Sequence, residues 1–429
     1  MDTNELFRAV LGLTPPWRVA DVAFRMKEAA VRGQVDIHVE FAAGSRFPCA
    51  ECGDSCPVHD TVEKTWRHMD LFQHLTYVHA RVPRTRCTGH GVRLAAVPWA
   101  REGSGFTMMF EAFVMLLAPQ MPMARIAAAV GVHDTRLWRL AAAHVERART
   151  KVDMSRVEAV LVDETARARG QCYVTIFAEP GEHQGRVLYV TEGRGSDTFH
   201  AFVADLAAHG GSAAAVRDVA MDMSQAFMKG ATETMPFAAV AFDRFHVMKL
   251  VGDAVDQVRR IEARERPELK GSRFDWLRNP ENLSDAGLER VAAFQKTNLR
   301  TVKAYHVRLN LQTLWTLPTV ELARDFLRRW CAWAKRIMRP KDPASALAFS
   351  PLLRAVETVR SHAEGILAYY RKRMTTALME GLNSLMQAAR SRARGYRNPD
   401  TFTTMIYLIA GRLDFDLPSL SQPTSRQLA

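Results

Sequence analysis

The sequence predicts a multidomain α/β protein, and three observations support this. Residues 47–97 are rich in cysteine, histidine and turn residues, with short β-prone pieces. Residues 106–152 change to the apolar spacing of helices, and 156–245 alternate short apolar strands with helices. A chain of 429 residues has room for two or three domains at about 100–200 residues each. We therefore expect a ribbon-like module, a helical module and an α/β core, after an N-terminal segment at 1–46.

The ribbon-like module contains two pairs of metal-binding residues. Two residues separate Cys49 from Cys52, and two separate Cys87 from His90; turns of this spacing can close on one tetrahedral Zn²⁺. Four ligands leave no open position, so the predicted zinc is structural. Reduced cysteines without metal are the alternative interpretation. Other candidate ligands between the pairs are Cys56, His59 and His68.

The helical module contains a predicted helix-turn-helix at 123–139. A short helix ends at Gly131, and Asp134 or Thr135 is expected to cap a second helix. The residues expected to pack inside are Ile126, Ala127, Val132 and Leu137. The residues expected to meet the major groove or the phosphates of DNA are Arg125, Arg136 and Arg139. An ordinary helical hairpin is the alternative.

The third segment, 156–245, contains five apolar strands. They are predicted at 159–162, 172–177, 187–190, 216–221 and 238–242, with helices at 196–209 and 224–230. The order is three strands, helix, strand, helix, strand. This order is expected of a ribonuclease-H-like core, whose first three strands form an antiparallel meander.

Two acids follow strands that lie side by side in such a core. Asp163 follows the first strand and Asp222 the fourth, so their carboxylates would converge at one edge of the sheet. Carboxylates are preferred ligands of Mg²⁺, and Mn²⁺ can take its place. The third acid is predicted to be Glu380, on a later helix. Competing acids are Glu164, Asp218 and Asp243, since an acid that ends a strand is often a turn former.

A long helical stretch separates Glu380 from the strands. The all-helical insertion is predicted at 246–374, and the core resumes at 375–415 before a disordered tail at 416–429. Tryptophans in the insertion (Trp315, Trp330 and Trp333) are expected in its core. Basic residues expected to contact DNA near the acids are Arg244, Arg390, Arg392, Arg394 and Arg397.

The charge balance favours a polyanionic partner. Lysines and arginines number 58 against 46 acids, a formal net charge of +12. The most apolar stretch, 108–119, contains Glu111 and is much shorter than the roughly 20 residues that span a bilayer. With no export signal, we expect a cytoplasmic, nucleoid-associated protein without a membrane partner.

Taken together, these features resemble the bacterial insertion-sequence DDE transposases of the ISL3 family along nearly the whole chain. The blocks that carry the resemblance are CAEC (49–52), TWRHMD (65–70), RTRC (84–87), VDET (162–165), MDMS (221–224), FDRFHVMK (242–249), EGLNS (380–384) and ARGYRN (393–398). The resemblance implies a zinc ribbon and a helix-turn-helix in front of a ribonuclease-H-like core with a helical insertion. It also places Asp163, Asp222 and Glu380 on the family's catalytic positions. His90 departs from the family, in which a cysteine is the commoner ligand.

The implied activity is metal-dependent cleavage and strand transfer at the terminal inverted repeats of an insertion sequence. A homodimer or larger assembly on double-stranded DNA is expected, because two ends must be held together. The alternatives are a catalytically silent DNA-binding regulator descended from a transposase, and a nuclease of the same fold. A zinc hydrolase would need an open metal position, which the predicted four-ligand shell does not leave.

Overall fold

The structure of the chain, a computed structural model, describes residues 2–26, 32–168, 172–181, 185–372 and 377–420, and gives only the backbone at 371, 372, 377, 378 and 380. Two units divide the chain. The first comprises Met1–Thr150, Ala388–Ile409 and Leu413–Ala429, and the second Lys151–Gln387 and Ala410–Arg412. The predicted disordered tail lies outside the described residues from position 421 onward.

The strands are β1 (Trp17–Arg25), β2 (Gln34–Phe41), β3 (Arg46–Pro48), β4 (Ser55–Leu71), β5 (His74–Cys87), β6 (Gly91–Leu94), β7 (Ala159–Ala168), β8 (Cys172–Glu179), β9 (Arg186–Glu192), β10 (Asp218–Met221) and β11 (Ala239–Phe242). The helices are α1 (Thr3–Val10), α2 (Met108–Leu117), α3 (Met123–Val130), α4 (Asp134–Arg149), α5 (Asp197–Ala208), α6 (Gln225–Thr234), α7 (Arg244–Glu262), α8 (Arg273–Leu277), α9 (Asp285–Gln295), α10 (Arg300–Gln312), α11 (Val320–Ile337), α12 (Pro343–Ser361), α13 (Ala363–Lys372), α14 (Ala377–Arg392) and α15 (Pro399–Ala410). Short 3₁₀ turns lie at Ala213–Ala215, Pro267–Leu269, Pro280–Asn282 and Thr313–Thr316.

The first unit contains a six-stranded sheet in the order β1-β2-β5-β4-β3, with β6 paired to β5. The β2–β5 pair is parallel and the other pairs are antiparallel. Alternation along the strands buries Ile37 and Val78 on one face, against the edge-to-face rings of Trp17, Trp66 and Trp99. Residues 1–46, to which the sequence analysis assigned no fold, therefore supply two strands of this sheet.

Helices α3 and α4 lie where the sequence predicts the two helices of a helix-turn-helix. Gly131 joins them with φ +67°, a left-handed conformation that glycine adopts without strain. The four residues expected to pack inside are buried. The predicted cap is wrong: His133 is the N-cap of α4, and its Nδ1 accepts the N–H of Thr135 at 3.3 Å. The extended backbone of His133 starts the helix one residue earlier, so Asp134 is already helical.

Arg67 ties the sheet to α3 within the first unit. Its side chain is buried, and its guanidinium donates to the carbonyl oxygens of Thr76 at 3.1 Å and Val130 at 3.2 Å. The rings of Tyr77 and Phe110 lie under the same group. A buried cation requires such acceptors, and the carbonyls at a helix end lack partners within the helix. One side chain therefore stabilises both the hairpin of β4 and β5 and the end of α3.

The second unit contains a five-stranded sheet in the order β11-β10-β7-β8-β9. Strands β7, β8 and β9 form an antiparallel meander, whereas β10 is parallel to both β7 and β11. Helix α5 precedes β10, and α6 connects β10 to β11. The predicted order of strands and helices is confirmed, and so is the expectation that the first and fourth strands are neighbours.

The prediction that Asp163 follows its strand is wrong. Strand β7 continues beyond Asp163 to Ala168, because residues 163–168 pair with 172–176 of β8 in a hairpin. The apolar run ends at Val162, but antiparallel pairing tolerates polar residues on a face that a core does not cover. Asp222 follows the last residue of β10, as predicted.

Helices α7 to α13 share one apolar core with the sheet of the second unit. The largest side chains buried there in the helices are Trp276, Tyr305 and Trp330. Trp315 and Trp333 pack against the same core, which confirms that the three tryptophans of the sequence analysis are core residues. Helix α13 approaches β11 closely because Gly365 faces the ring of Phe242, where a Cβ would lie only 2.4 Å from the ring. None of the described helices combines the length and the apolar character needed to span a bilayer.

Candidate functional site

The four predicted zinc ligands of the first unit come together. Cys49 and Cys52 lie in the turn between β3 and β4, Cys87 ends β5, and His90 precedes β6; their ligand atoms all lie within 4.8 Å of one another. The Cys52 and Cys87 sulfurs are 3.7 Å apart, and His90 Nδ1 is 3.6 Å from Cys87 Sγ and 3.9 Å from Cys49 Sγ. Tetrahedral zinc, with Zn–S of about 2.3 Å and Zn–N of about 2.0–2.1 Å, separates its ligand atoms by about 3.6–3.8 Å. The donor set therefore fits Zn²⁺.

The turns that carry these ligands explain their spacing. Gly53 closes the first turn with φ +75°, and its N–H donates to the Cys49 carbonyl at 2.9 Å. In the second turn, the backbone N–H groups of Gly89 and His90 lower the pKa of the Cys87 thiol to about 7. Hydrogen bonds to the sulfur favour the thiolate, which is the form that binds zinc. The backbone therefore prepares Cys87 as a ligand.

The alternative ligands have other environments. Cys56 is buried beside Cys49 and Cys87, and burial, with the nearby Cys87, raises the pKa of its thiol. His59 Nδ1 lies 3.1 Å from a guanidinium nitrogen of Arg86. His68 Nδ1 lies 2.8 Å from the Thr107 hydroxyl, and burial, with the nearby Arg67 charge, lowers the pKa of His68 to about 4. Among the described residues, the cluster that could hold a metal contains none of these three.

Basic side chains of the helix-turn-helix are exposed. Arg125 on α3 and Arg136 and Arg139 on α4 face solvent. The Arg136 guanidinium lies over the ring of Phe106, with its central carbon 4.6 Å from the ring centroid. This stacking restricts the rotamers of the long side chain before it binds a ligand, so less conformational entropy is lost on binding. The face that α4 leaves uncovered is therefore cationic.

The chain returns to the first unit after Gln387 and packs beside α4. The Trp138 and Tyr396 rings meet edge to face at 6.0 Å, next to a groove of about 640 Å³ that Arg139 and Arg397 both line. Arg392 has a structural contact here, because its guanidinium donates to the carbonyl oxygens of Gln120 at 2.7 Å and Pro119 at 3.3 Å. The structure thus brings Arg397 to the helix that carries Arg139. Arg394 is also exposed and Arg390 is half-buried.

In the second unit, three acidic residues lie level at the same end of three adjacent strands. Ala220 of β10 pairs with Leu161 on β7 and with Ala241 on β11. Two residues further along this register are Asp163 on β7 and, directly after β10 and β11, Asp222 and Asp243. Neighbouring strands of a sheet are about 4.8 Å apart. Asp243 is 5% exposed, and its Oδ2 has no hydrogen-bond partner among the described residues. Two candidate acids and one competitor therefore form a row.

The electrostatics of this row are those of crowded acids. Burial raises the pKa of Asp163 to about 6; Asp222 and Glu164 add to the rise, whereas the Glu164 N–H and the charge of His246 oppose it. Burial, with the charge of Asp222, also raises the pKa of Glu164. The cations that oppose the rise at Glu164 are Arg194, His246 and Lys249. A bound cation would offset this repulsion, and hard carboxylate oxygens suit Mg²⁺ or Mn²⁺.

The remaining candidates are placed as follows. Asp218, a competing acid, pairs with Ala159 at the opposite end of β10, four residues or about 13 Å before Asp222. Arg244 is exposed in the first turn of α7, directly after Asp243. Glu380 lies on α14, and its side chain is outside the described residues. Its neighbour Asn383, to which the sequence analysis gave no role, donates to Asp163.

Comparisons with known proteins match the chain in three consecutive parts. The zinc-finger model of the transposases IS204, IS1001, IS1096 and IS1165 matches residues 45–90. The helix-turn-helix model of ISL3-family transposases matches 95–145, and the ISL3 transposase model, named for its DDE domain, matches 160–406. The chain is 25% identical to the transposase of insertion sequence element IS1557 of Mycobacterium tuberculosis, over 95% of this chain and 96% of the relative. It is 27% identical to the transposase of IS1001 of Bordetella parapertussis, over 82% and 86%.

We expect Cys87→Ser to release zinc from the first unit, because a serine hydroxyl does not supply a thiolate. Zinc content, measured by mass spectrometry of the purified protein, should fall from one ion per chain toward none. Cys56→Ser is the matched control, since Cys56 is buried beside the same sulfurs without belonging to the four-residue cluster. Zinc loss in the Cys56 variant, with retention in the Cys87 variant, would reverse the ligand assignment.

Proposed function

This chain belongs to the ISL3 family of transposases, and we propose that it binds the terminal inverted repeats of an insertion sequence and catalyses metal-dependent DNA cleavage and strand transfer. The observation that carries the proposal is the placement of Asp163 on β7, level with Asp222 directly after the neighbouring parallel strand β10. A shared fold does not by itself establish a reaction, so the proposal is argued from the residues of this site.

We propose that the second unit is a ribonuclease-H-like core with a long helical insertion. The sheet order supports this, because an antiparallel meander of three strands is extended on one side by two parallel strands. Helices α7 to α13 lie between β11 and α14 in the chain, in the position of the insertion. The insertion separates Glu380 in sequence from Asp163 and Asp222.

The proposed catalytic residues are Asp163, Asp222 and Glu380, and the donor chemistry of this set fits Mg²⁺ or Mn²⁺. Two such ions, when bound, activate an attacking water or 3′-hydroxyl and stabilise the leaving oxygen in an in-line displacement at phosphorus. Asp222 is held by the Ser224 N–H, which donates to its Oδ1 at 2.9 Å and fixes the carboxylate at the strand end. The Asp222 carboxylate therefore needs little reorganisation when it binds a cation.

Cations around the acids would hold the substrate. We propose that Arg244, exposed at the start of α7, binds a DNA phosphate. His246 lies two residues further along the same helix. The positive end of the α7 dipole lies at these residues and favours an anion there. Arg244 would neutralise phosphate charge without supplying a metal ligand, because a guanidinium has donors and no acceptor.

We propose that the first unit reads the transposon end. Arg136 and Arg139 would contact bases or phosphates from the second helix of the helix-turn-helix, and Arg125, Arg390, Arg394 and Arg397 would neutralise phosphates around it. The shared groove of Arg139 and Arg397 supports a joint surface. Arg392 contributes through its carbonyl contacts, which fix this segment. Structural zinc at the four-residue cluster would hold the turns of the ribbon, and a dimer would pair two ends.

Asp163→Ala, Asp222→Ala and Glu380→Ala should each reduce strand cleavage by about 10³-fold or more, because each removes several kcal/mol of charge stabilisation from the transition state. The measurement uses zinc-loaded protein, Mg²⁺ or Mn²⁺ and labelled DNA that carries the ends of its own element. End binding should remain within a few-fold of the unmodified protein.

Asp253→Ala is the matched control, an exposed acid on α7 outside the row. Binding of ends by the unmodified protein with no cleaved product would instead support a silent regulator. Cleaved ends that are never joined would support a nuclease of the same fold. Full activity in any of the three variants would remove that residue from the catalytic set.

Arg136→Ala and Arg139→Ala should each weaken binding of the specific end by about 1–3 kcal/mol if the side chain reads a base. If it contacts a phosphate, the variant should instead reduce the slope of log affinity against log salt by about one. Arg147→Ala is the control, since Arg147 is exposed on the same helix about 12 Å further along. Gel-shift titrations with the end and an unrelated duplex, at several salt concentrations, measure both quantities. Equal losses in all three variants would argue against a reading role for the start of α4.

A further inference from the structure

Two amide side chains of α14 donate to strand β7. Asn383 Nδ2 donates to Asp163 Oδ2 at 2.7 Å, and Gln387 Nε2 donates to Thr165 Oγ1 at 2.7 Å. The donors are four residues apart on one helix face, and the acceptors are two residues apart on one strand face. All four residues belong to the second unit.

The spacing of the two contacts fixes the register of helix against strand. Four residues of a helix rise about 6.0 Å, and two residues of a strand rise about 6.6 Å. The steps match, so both contacts form together when the helix runs alongside the strand in the same direction. A shift of α14 by one turn would break both.

Asn383 also determines the orientation of the Asp163 carboxylate. Asp163 Oδ1 accepts the Glu164 N–H at 2.8 Å, so each carboxylate oxygen has one donor and the plane of the group is fixed. Each oxygen keeps further lone pairs for a cation. The donor must be the amide nitrogen, because the reversed amide would place its oxygen against a carboxylate.

This orientation of the Asn383 amide leaves its oxygen without a hydrogen bond. Asn383 Oδ1 is buried and has no hydrogen-bond partner among the described residues. A buried acceptor without a partner costs free energy, and such exceptions in folded proteins call for an explanation. The need to place the amide N–H donor of Asn383 against Asp163 explains why its oxygen is left unpaired.

We propose that Asn383 is a positioning residue that orients Asp163 for metal binding and sets the register of the helix that carries Glu380, with Gln387 as its second contact. The inference rests on the proposed function, in which Asp163 and Glu380 hold the ions. Glu380 precedes Asn383 by three residues on the same helix, so a register fixed at Asn383 is also fixed one turn earlier.

The test compares the full-length, zinc-loaded protein with Asn383→Ala. Binding of Mn²⁺ without DNA, measured by the paramagnetic resonance of the free ion, should weaken by about 10–100-fold, as for loss of a group that orients a metal ligand. The Mg²⁺ concentration for half-maximal end cleavage should rise by a similar factor, while DNA-end affinity stays unchanged. Gln387→Ala should have a smaller effect on Mn²⁺ affinity, because Gln387 donates to Thr165 and to the Ala166 carbonyl, further along β7 than Asp163.

Asn282→Ala is the matched control, an exposed asparagine of the second unit. If Asn383→Ala does not fold, Asn383→Leu keeps the branching at Cγ with a somewhat larger side chain, removes the donor and is measured in its place. Suppose that the unmodified protein binds Mn²⁺ and cleaves ends, and that the Asn383 variant has the same Mn²⁺ affinity and Mg²⁺ requirement. This result would overturn the positioning role and leave the proposed function standing. Unmodified protein that neither binds Mn²⁺ nor cleaves would overturn both.

Discussion

Like charges come together inside a protein only where a rigid backbone holds them, and this constraint governs the second unit. Asp163 lies on β7, level with Asp222 and Asp243 directly after β10 and β11, although burial, with repulsion from Asp222 and Glu164, raises the pKa of Asp163 to about 6. The strands cannot slip to relieve it, because a shift by one residue would turn buried side chains such as Val162 and Val219 toward the opposite face. The apolar core therefore maintains the crowding that a divalent cation would offset.

The first unit meets a different requirement, which is to present cations on a fixed surface. Its sheet has an aromatic core, and Arg67 links that sheet to the end of α3 through buried hydrogen bonds. The segment after Gln387 returns to this unit, where Arg392 contacts the carbonyls of residues 119 and 120 and Arg397 shares a groove with Arg139. The cationic surface is thus assembled from two distant parts of the sequence.

Features with local causes were predictable from the sequence. The ligand pairs spaced by two residues, the glycine turn at 131 and the order of apolar strands all follow from short-range patterns. Long-range pairing was not predictable: the hairpin with β8 extends the strand beyond Asp163, and Asn383 bonds to a residue 220 positions away. His133 was missed as a cap because imidazole is not among the favoured capping groups. Nothing local distinguishes Arg392, whose partners are backbone carbonyls, from its exposed neighbours.

We propose that the row of acids in the second unit is a divalent-metal site for cutting DNA. A crystal structure of the full chain grown with Mn²⁺, with anomalous scattering recorded at the manganese edge, tests it most directly. We expect manganese within bonding distance of Asp163 and Asp222, with the separate Cys and His cluster occupied by zinc. Manganese bound only at other positions would contradict the proposed metal site. So would the absence of manganese at the row of acids in crystals whose zinc cluster is intact.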